Sequence, residues 1–120
     1  MKSVKRAFTL IEIMIVVLII GILLAIAVPN FVRAREASRA KACTANLKQI
    51  DSAKEQWAMD NRVSSGGAAP VMTTLVGSAG YIKSTPACPS SGTYTINAVG
   101  TNPVCSVGGT AGDPLAHLLP

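Results

Sequence analysis

Few side chains in this sequence are equipped for chemistry, and they are scattered. Cysteines stand at Cys43, Cys88 and Cys105, the single histidine is His117, and one carboxylate, Glu12, sits inside an otherwise uncharged apolar run. No Cys-x-x-Cys pair exists, so spacing supports neither a thioredoxin-like redox site nor a zinc site. His117 lies in a short apolar tail, Pro114 to Leu119, with no cysteine or carboxylate cluster beside it. It reads as a packed or exposed tail residue, not as a general base or a ligand. Serine and threonine are plentiful, yet spacing defines no Ser-His-Asp grouping. The expectation is a chain with no catalytic residue, no cofactor and no metal.

Glu12 is the exception because of its surroundings. From Phe8 to Val28 run 21 residues with Glu12 as the only charge. As a helix they span about 31 Å, close to the hydrocarbon thickness of a bilayer. An ionised carboxylate near the edge of such a region costs on the order of 2–3 kcal/mol unless it is paired. The 120 residues are 49% hydrophobic but only 4% aromatic, so the hydrophobicity is concentrated in this first quarter. What remains is a small domain with a thin core, which excludes a large enzyme with a deep pocket. Eleven Lys and Arg against six Asp and Glu give +5, and from Val63 onward only Lys83 and Asp113 are charged. No basic stripe with interleaved aromatics exists, so no nucleic-acid partner is predicted.

Three readings compete for the amino-terminal segment. It is a cleaved secretory signal ending at Ala25-Ile26-Ala27, a plain single-pass anchor, or an export signal cut ahead of the apolar run. Charge does not separate them. Lys2, Lys5 and Arg6 precede the run, while Arg33, Arg35, Arg39 and Lys41 follow it. The second group suits a lipid headgroup surface, acidic neighbours in an assembly, or an ordinary solvated face.

The stretch Arg6-Ala7-Phe8-Thr9-Leu10-Ile11-Glu12, with the apolar run behind it, resembles the start of type IV pilins and of the pseudopilins of type II secretion. The resemblance is close from Lys5 to about Asn30 and looser to about Asn61. It implies a leader, residues 1–7, cut by prepilin peptidase between Ala7 and Phe8, and methylation of the new Phe8 amine. Ala7 stands where the family usually has Gly. The resemblance further implies that Glu12 meets the Phe8 amine of a neighbouring subunit. The physics agrees, because a cation and an anion that are each costly in apolar surroundings offset one another when paired. The alternative is that Glu12 caps the first turn of its own helix, near Thr9. Major secretion pseudopilins often carry a calcium loop with several acidic ligands, whereas Asp113 stands alone here. That leans towards a pilus-type subunit, because calcium takes six or more oxygens.

The elements that must position these residues follow from the pattern. Between Phe8 and Asn61 there is one glycine, Gly21, and one proline, Pro29. They bracket a weak stretch, and Pro29 predicts a kink. In the family, such a stretch can loosen on assembly. Residues 8–29 form the apolar transmembrane or filament-core helix, and 30–62 its amphipathic continuation. Ala40, Cys43, Leu47, Ile50 and Trp57 recur at helical spacing and mark a stripe able to hold a small domain. Lys48, Asp51, Lys54, Glu55 and Asp60 fall mostly elsewhere, with Lys48–Asp51 and Asp51–Lys54 able to pair. Asp60-Asn61 and then Ser64-Ser65-Gly66-Gly67 end the helix. At about 80 Å it cannot be buried within one small domain, so lipid or sister copies must cover it.

Residues 63–120 are rich in turn formers. A short helix is expected near Pro70, and strands at Thr93–Asn97 and Val104–Val107 with a turn at Gly100-Thr101-Asn102. A hairpin would bring Cys88 towards Cys105, so these two are the favoured disulfide outside the cytoplasm. Closing a loop of roughly 18 residues contributes about 3 kcal/mol in the entropic account. Cys43 then remains a small buried helix residue, or alternatively staples the sheet to the helix.

The expected fold is therefore α+β and type IV pilin-like: a long amino-terminal helix with a small antiparallel hairpin or sheet packed on its second half. The function implied is a structural subunit of a helical homo-oligomeric filament, held first in the bacterial inner membrane with its leader cytoplasmic. Its partners would be prepilin peptidase, an assembly platform and an ATPase. A type II secretion pseudopilin is the near alternative, and a monomeric membrane-anchored binding module the alternative of another class.

Overall fold

The computed structural model describes residues 5–120. Helix α1 is Leu10–Asp60 and helix α2 is Met72–Leu75; strand β1 is Tyr94–Thr95 and strand β2 is Val104–Cys105. The chain divides into two compact units, Met1–Arg35 and Glu36–Pro120.

In the first unit, Lys5 to Thr9 form no helix or strand. Thr9 then starts α1: its hydroxyl accepts the backbone N–H of Glu12 at 3.2 Å. A hydroxyl three residues ahead of an acidic side chain is a helix-start signal, and the acidic residue also suits the positive end of the helix dipole. Helical geometry continues through Gly21 and through Pro29, which lies inside α1. Every described residue of this unit is exposed. The most apolar window of α1 has a mean hydropathy of 3.2 and is unburied. A helix that is apolar on all sides is stable only when something else covers it.

The second unit is built on the later turns of α1. The stripe read from spacing faces inward: Ala40, Cys43, Leu47 and Ile50 are buried, and Trp57 is half-buried. Ile50 and Ala53 pack with Leu75, Ile82 and Ile96, with Trp57 and Tyr81 at the margin. Full burial of each large aliphatic side chain contributes roughly 1.5–3 kcal/mol. A second cluster joins Cys43 and Leu47 to Cys88 and Cys105, flanked by Tyr94 and Leu119.

Helix α1 ends by its backbone alone. Arg62 takes a left-handed φ of 55°, Val63 N–H bonds to Ala58 C=O at 2.8 Å, and Arg62 N–H bonds to Met59 C=O at 3.3 Å. This is the Schellman pattern, with arginine where glycine is usual. The helix therefore ends at Asp60, where the Asp60-Asn61 reading places it, with Arg62 making the reversal ahead of the Ser64 to Gly67 run. The two strands form one antiparallel pair, Tyr94 opposite Cys105 and Thr95 opposite Val104. They are shorter than the alternation suggests, and turns held by backbone hydrogen bonds fill the rest.

Lys54, expected mostly off the inward stripe, is fully buried, and the Asp51–Lys54 pair read from spacing is formed. Its Nζ pairs with Asp51 Oδ1 at 3.2 Å and donates to the carbonyls of Ile96, at 3.4 Å, and Thr101. The 93–105 loop folds over the helix and leaves two carbonyls pointing at it. An ammonium with three donors satisfies both together with Asp51.

Candidate functional site

Two groups of residues stand apart from ordinary packing. The first is the amino-terminal start. The Ala7–Phe8 peptide lies in the exposed, non-helical segment just before α1. Phe8 is 77% exposed, and Glu12 is exposed on the first helical turn. Thr9 caps the Glu12 backbone, and among the described residues the Glu12 carboxylate makes no ion pair. The side chain that caps this turn is thus Thr9, with Glu12 taking part through its backbone N–H. Of the later basic group, Arg39 pairs with Glu36 at 3.0 Å, whereas Arg33, Arg35 and Lys41 are exposed.

The second group was not legible in the spacing. Sγ of Cys43, Cys88 and Cys105 and a ring nitrogen of His117 lie within 4.8 Å of one another, and all four residues are buried. Cys88 Sγ is 3.5 Å from His117 Nδ1. Each residue arrives on a different segment. Cys43 comes from the inward stripe of α1, Cys105 from β2, Cys88 from the loop before β1, and His117 from the tail. Asn46 fastens the Cys88 loop by donating to Ala87 C=O at 2.9 Å and to the Tyr94 hydroxyl at 3.0 Å. The tail is fixed by His117 N–H to Gly108 C=O at 2.7 Å and by the Thr44 hydroxyl to Leu118 C=O at 3.2 Å. Asp113 has a local task, its Oδ1 accepting the N–H of Leu115 at 2.9 Å.

Two glycines make this convergence possible. A side chain at Gly92 would collide with Cys105 Sγ and sit 3.2 Å from Cys88 Sγ. At Gly109, with φ of 128°, it would meet Ala116 Cα at 2.8 Å and push the tail away.

The three cysteines are free thiols. Cys88 and Cys105 do come together, as the hairpin reading expects, and they share one small volume with Cys43 and His117. Burial pushes the Cys43 thiol up to about 12, partly opposed by the Tyr94 hydroxyl. Burial also disfavours the Cys88 thiolate, but the backbone N–H groups of Ser90 and Gly92 and the neighbouring thiols outweigh it and bring Cys88 down to about 7. Burial raises the Tyr94 phenol.

An exposed start ahead of an all-round apolar helix, with a small α+β unit on its later turns, defines a membrane-anchored protein of the prepilin class. The family described as "Prokaryotic N-terminal methylation motif" matches residues 2–28. The chain is 34% identical over 107 residues to the type IV wide pilus major component PilA4 of Thermus thermophilus, covering 89% of this chain and 75% of that protein. It is 30% identical over 103 residues to the type II secretion system core protein G of Escherichia coli, covering 77% and 71%. To the type IV major pilin protein PilA of Myxococcus xanthus it is 50% identical over 53 residues, or 44% of this chain and 24% of that protein. No solved structure matches at comparable significance. The chain belongs to the family of type IV pilins and type II secretion pseudopilins.

Proposed function

We propose that the mature chain begins at Phe8 and is the repeating subunit of a type IV pilus-like filament. The single observation that carries this reading is the apolar stretch of α1, unburied by its own chain and carrying one charge at its start. Before assembly, lipid covers it, with the leader cytoplasmic and the Glu36–Pro120 unit beyond the bacterial inner membrane. In the filament, sister helices replace lipid. Glu12 then pairs with the methylated Phe8 amine of the next subunit, which sets the axial register as well as contributing attraction. Pro29 deprives Ala25 of its helical hydrogen-bond donor, so the stretch from Gly21 to Pro29 is the segment able to loosen as neighbours pack. Prepilin peptidase, an assembly platform and an ATPase are the partners this route needs, and no catalytic role falls to the chain itself.

Mass spectrometry of the exported chain tests the cut and the methyl group together. A methylated Phe8 start is expected; a start at Val28 would mean secretory processing instead. Glu12→Ala is expected to leave membrane insertion intact and to abolish most filament yield by electron microscopy. Unchanged yield would remove the intersubunit pair from the account.

The likeness to the Escherichia coli secretion protein supports a second reading, a pseudopilus subunit. Deleting the gene separates the two: loss of surface fibres marks a pilin, loss of a secreted enzyme a pseudopilin. A monomeric anchored binding module is separated from both by its failure to polymerise when overproduced.

A further inference from the structure

We infer that Cys43, Cys88, Cys105 and His117 form a structural zinc site that ties the carboxy-terminal loops and tail to helix α1. The donor set is the first argument. Three sulfurs and one imidazole nitrogen, all buried and mutually within 4.8 Å, are a Cys3His constellation. With zinc–sulfur bonds of about 2.3 Å and a zinc–nitrogen bond of about 2.0–2.1 Å, a tetrahedron has sulfur–nitrogen edges of about 3.5 Å and sulfur–sulfur edges of about 3.8 Å. The Cys88 Sγ to His117 Nδ1 separation is 3.5 Å. Soft thiolates with imidazole select zinc over calcium or magnesium. Four protein ligands in a buried place leave no open position, so the site is structural rather than catalytic.

The surroundings are the second argument. Binding displaces the protons of three thiols to solvent and leaves the centre with one net negative charge. Asn46 ties the Cys88 loop to α1, donating to Ala87 C=O at 2.9 Å and to the Tyr94 hydroxyl at 3.0 Å. Such outer partners hold ligands in position. Gly92 leaves room directly over two of the sulfurs.

The third argument is what the fold lacks without the metal. The Glu36–Pro120 unit has a four-residue helix, two-residue strands and a core of few large side chains. A core with so few large side chains gains from a cross-link. A disulfide would use two of the sulfurs and leave the third thiol and the imidazole without a task. A metal uses all four and joins four separate segments at once.

The full-length chain, purified in detergent without added metal, is analysed by elemental mass spectrometry and by thiol titration in denaturant with and without chelator. The expected result is one zinc per chain, three thiols titrating once the metal is removed, and cobalt exchange giving the visible bands of a tetrahedral thiolate complex. His117→Cys is expected to retain zinc, whereas His117→Ala and His117→Phe lose it to a chelator that leaves the parent loaded. If His117 merely fills space, the order reverses, with Phe tolerated and no metal changing hands. A metal-free chain lighter by two hydrogens, with one titratable thiol, would falsify the site and put a disulfide among the three cysteines in its place. Three thiols that take up neither zinc nor cobalt also overturn it, and iron or copper at the same stoichiometry overturns the choice of zinc.

Discussion

Lys54 shows how a single side chain comes to be held in a place its chemistry resists. An ammonium is buried only where donors meet acceptors, and here Asp51 and the carbonyls of Ile96 and Thr101 supply them. Lys54→Ala removes the stem from the packed face and leaves two carbonyls unanswered, so we expect a loss of about 3 kcal/mol in urea unfolding. Lys54→Met keeps the stem and is expected to recover part of that loss. Equal costs for the two would mean that the stem does not matter. Glu12 presents the opposite case. It is unpaired among the described residues of one chain, and its worth appears only when another copy arrives. Its substitution should therefore move assembly and leave the melting of the Glu36–Pro120 unit unchanged.

At the scale of elements, α1 carries two different surfaces in succession. The start is apolar all round; from Ala40 onward one stripe is buried and the rest is wet. The change is visible in the spacing because helical periodicity survives any environment. The end of α1 is less legible. A left-handed Arg62 closes a Schellman motif where glycine would do so without a Cβ conflict. Arg62→Gly is expected to stabilise the unit by up to about 1 kcal/mol, read as a higher urea midpoint. A lower midpoint would show that the arginine side chain contributes more than its backbone costs. The short strands were only approximately legible, because turns and loop hydrogen bonds, not alternation, decide where a two-residue ladder stops.

For the whole molecule, no described residue before Ala40 is buried, so the core belongs to the Glu36–Pro120 unit alone. A fragment of residues 36–120 is expected to fold, to stay monomeric in analytical ultracentrifugation and to melt at a lower temperature in chelator. A fragment that polymerises like the full chain would place assembly outside the apolar helix. Removing a metal that stabilises only the folded state lowers the melting temperature by mass action, so the chelator arm also reports on the Cys3His centre.

The residues by themselves determined the long helix, its apolar start, the inward stripe and the Phe8–Glu12 start motif, because each is a local pattern of spacing and polarity. They suggested Cys88 beside Cys105 but counted against a metal, since a ligand set is usually sought as a short repeat. Tertiary structure alone decided that Cys43 and His117 join the same point and that Lys54 turns inward. Both depend on where loops far away in sequence come to rest. That is set by backbone hydrogen bonds such as His117 N–H to Gly108 C=O, and by close approaches at Gly92 and Gly109, none of which leaves a periodic trace.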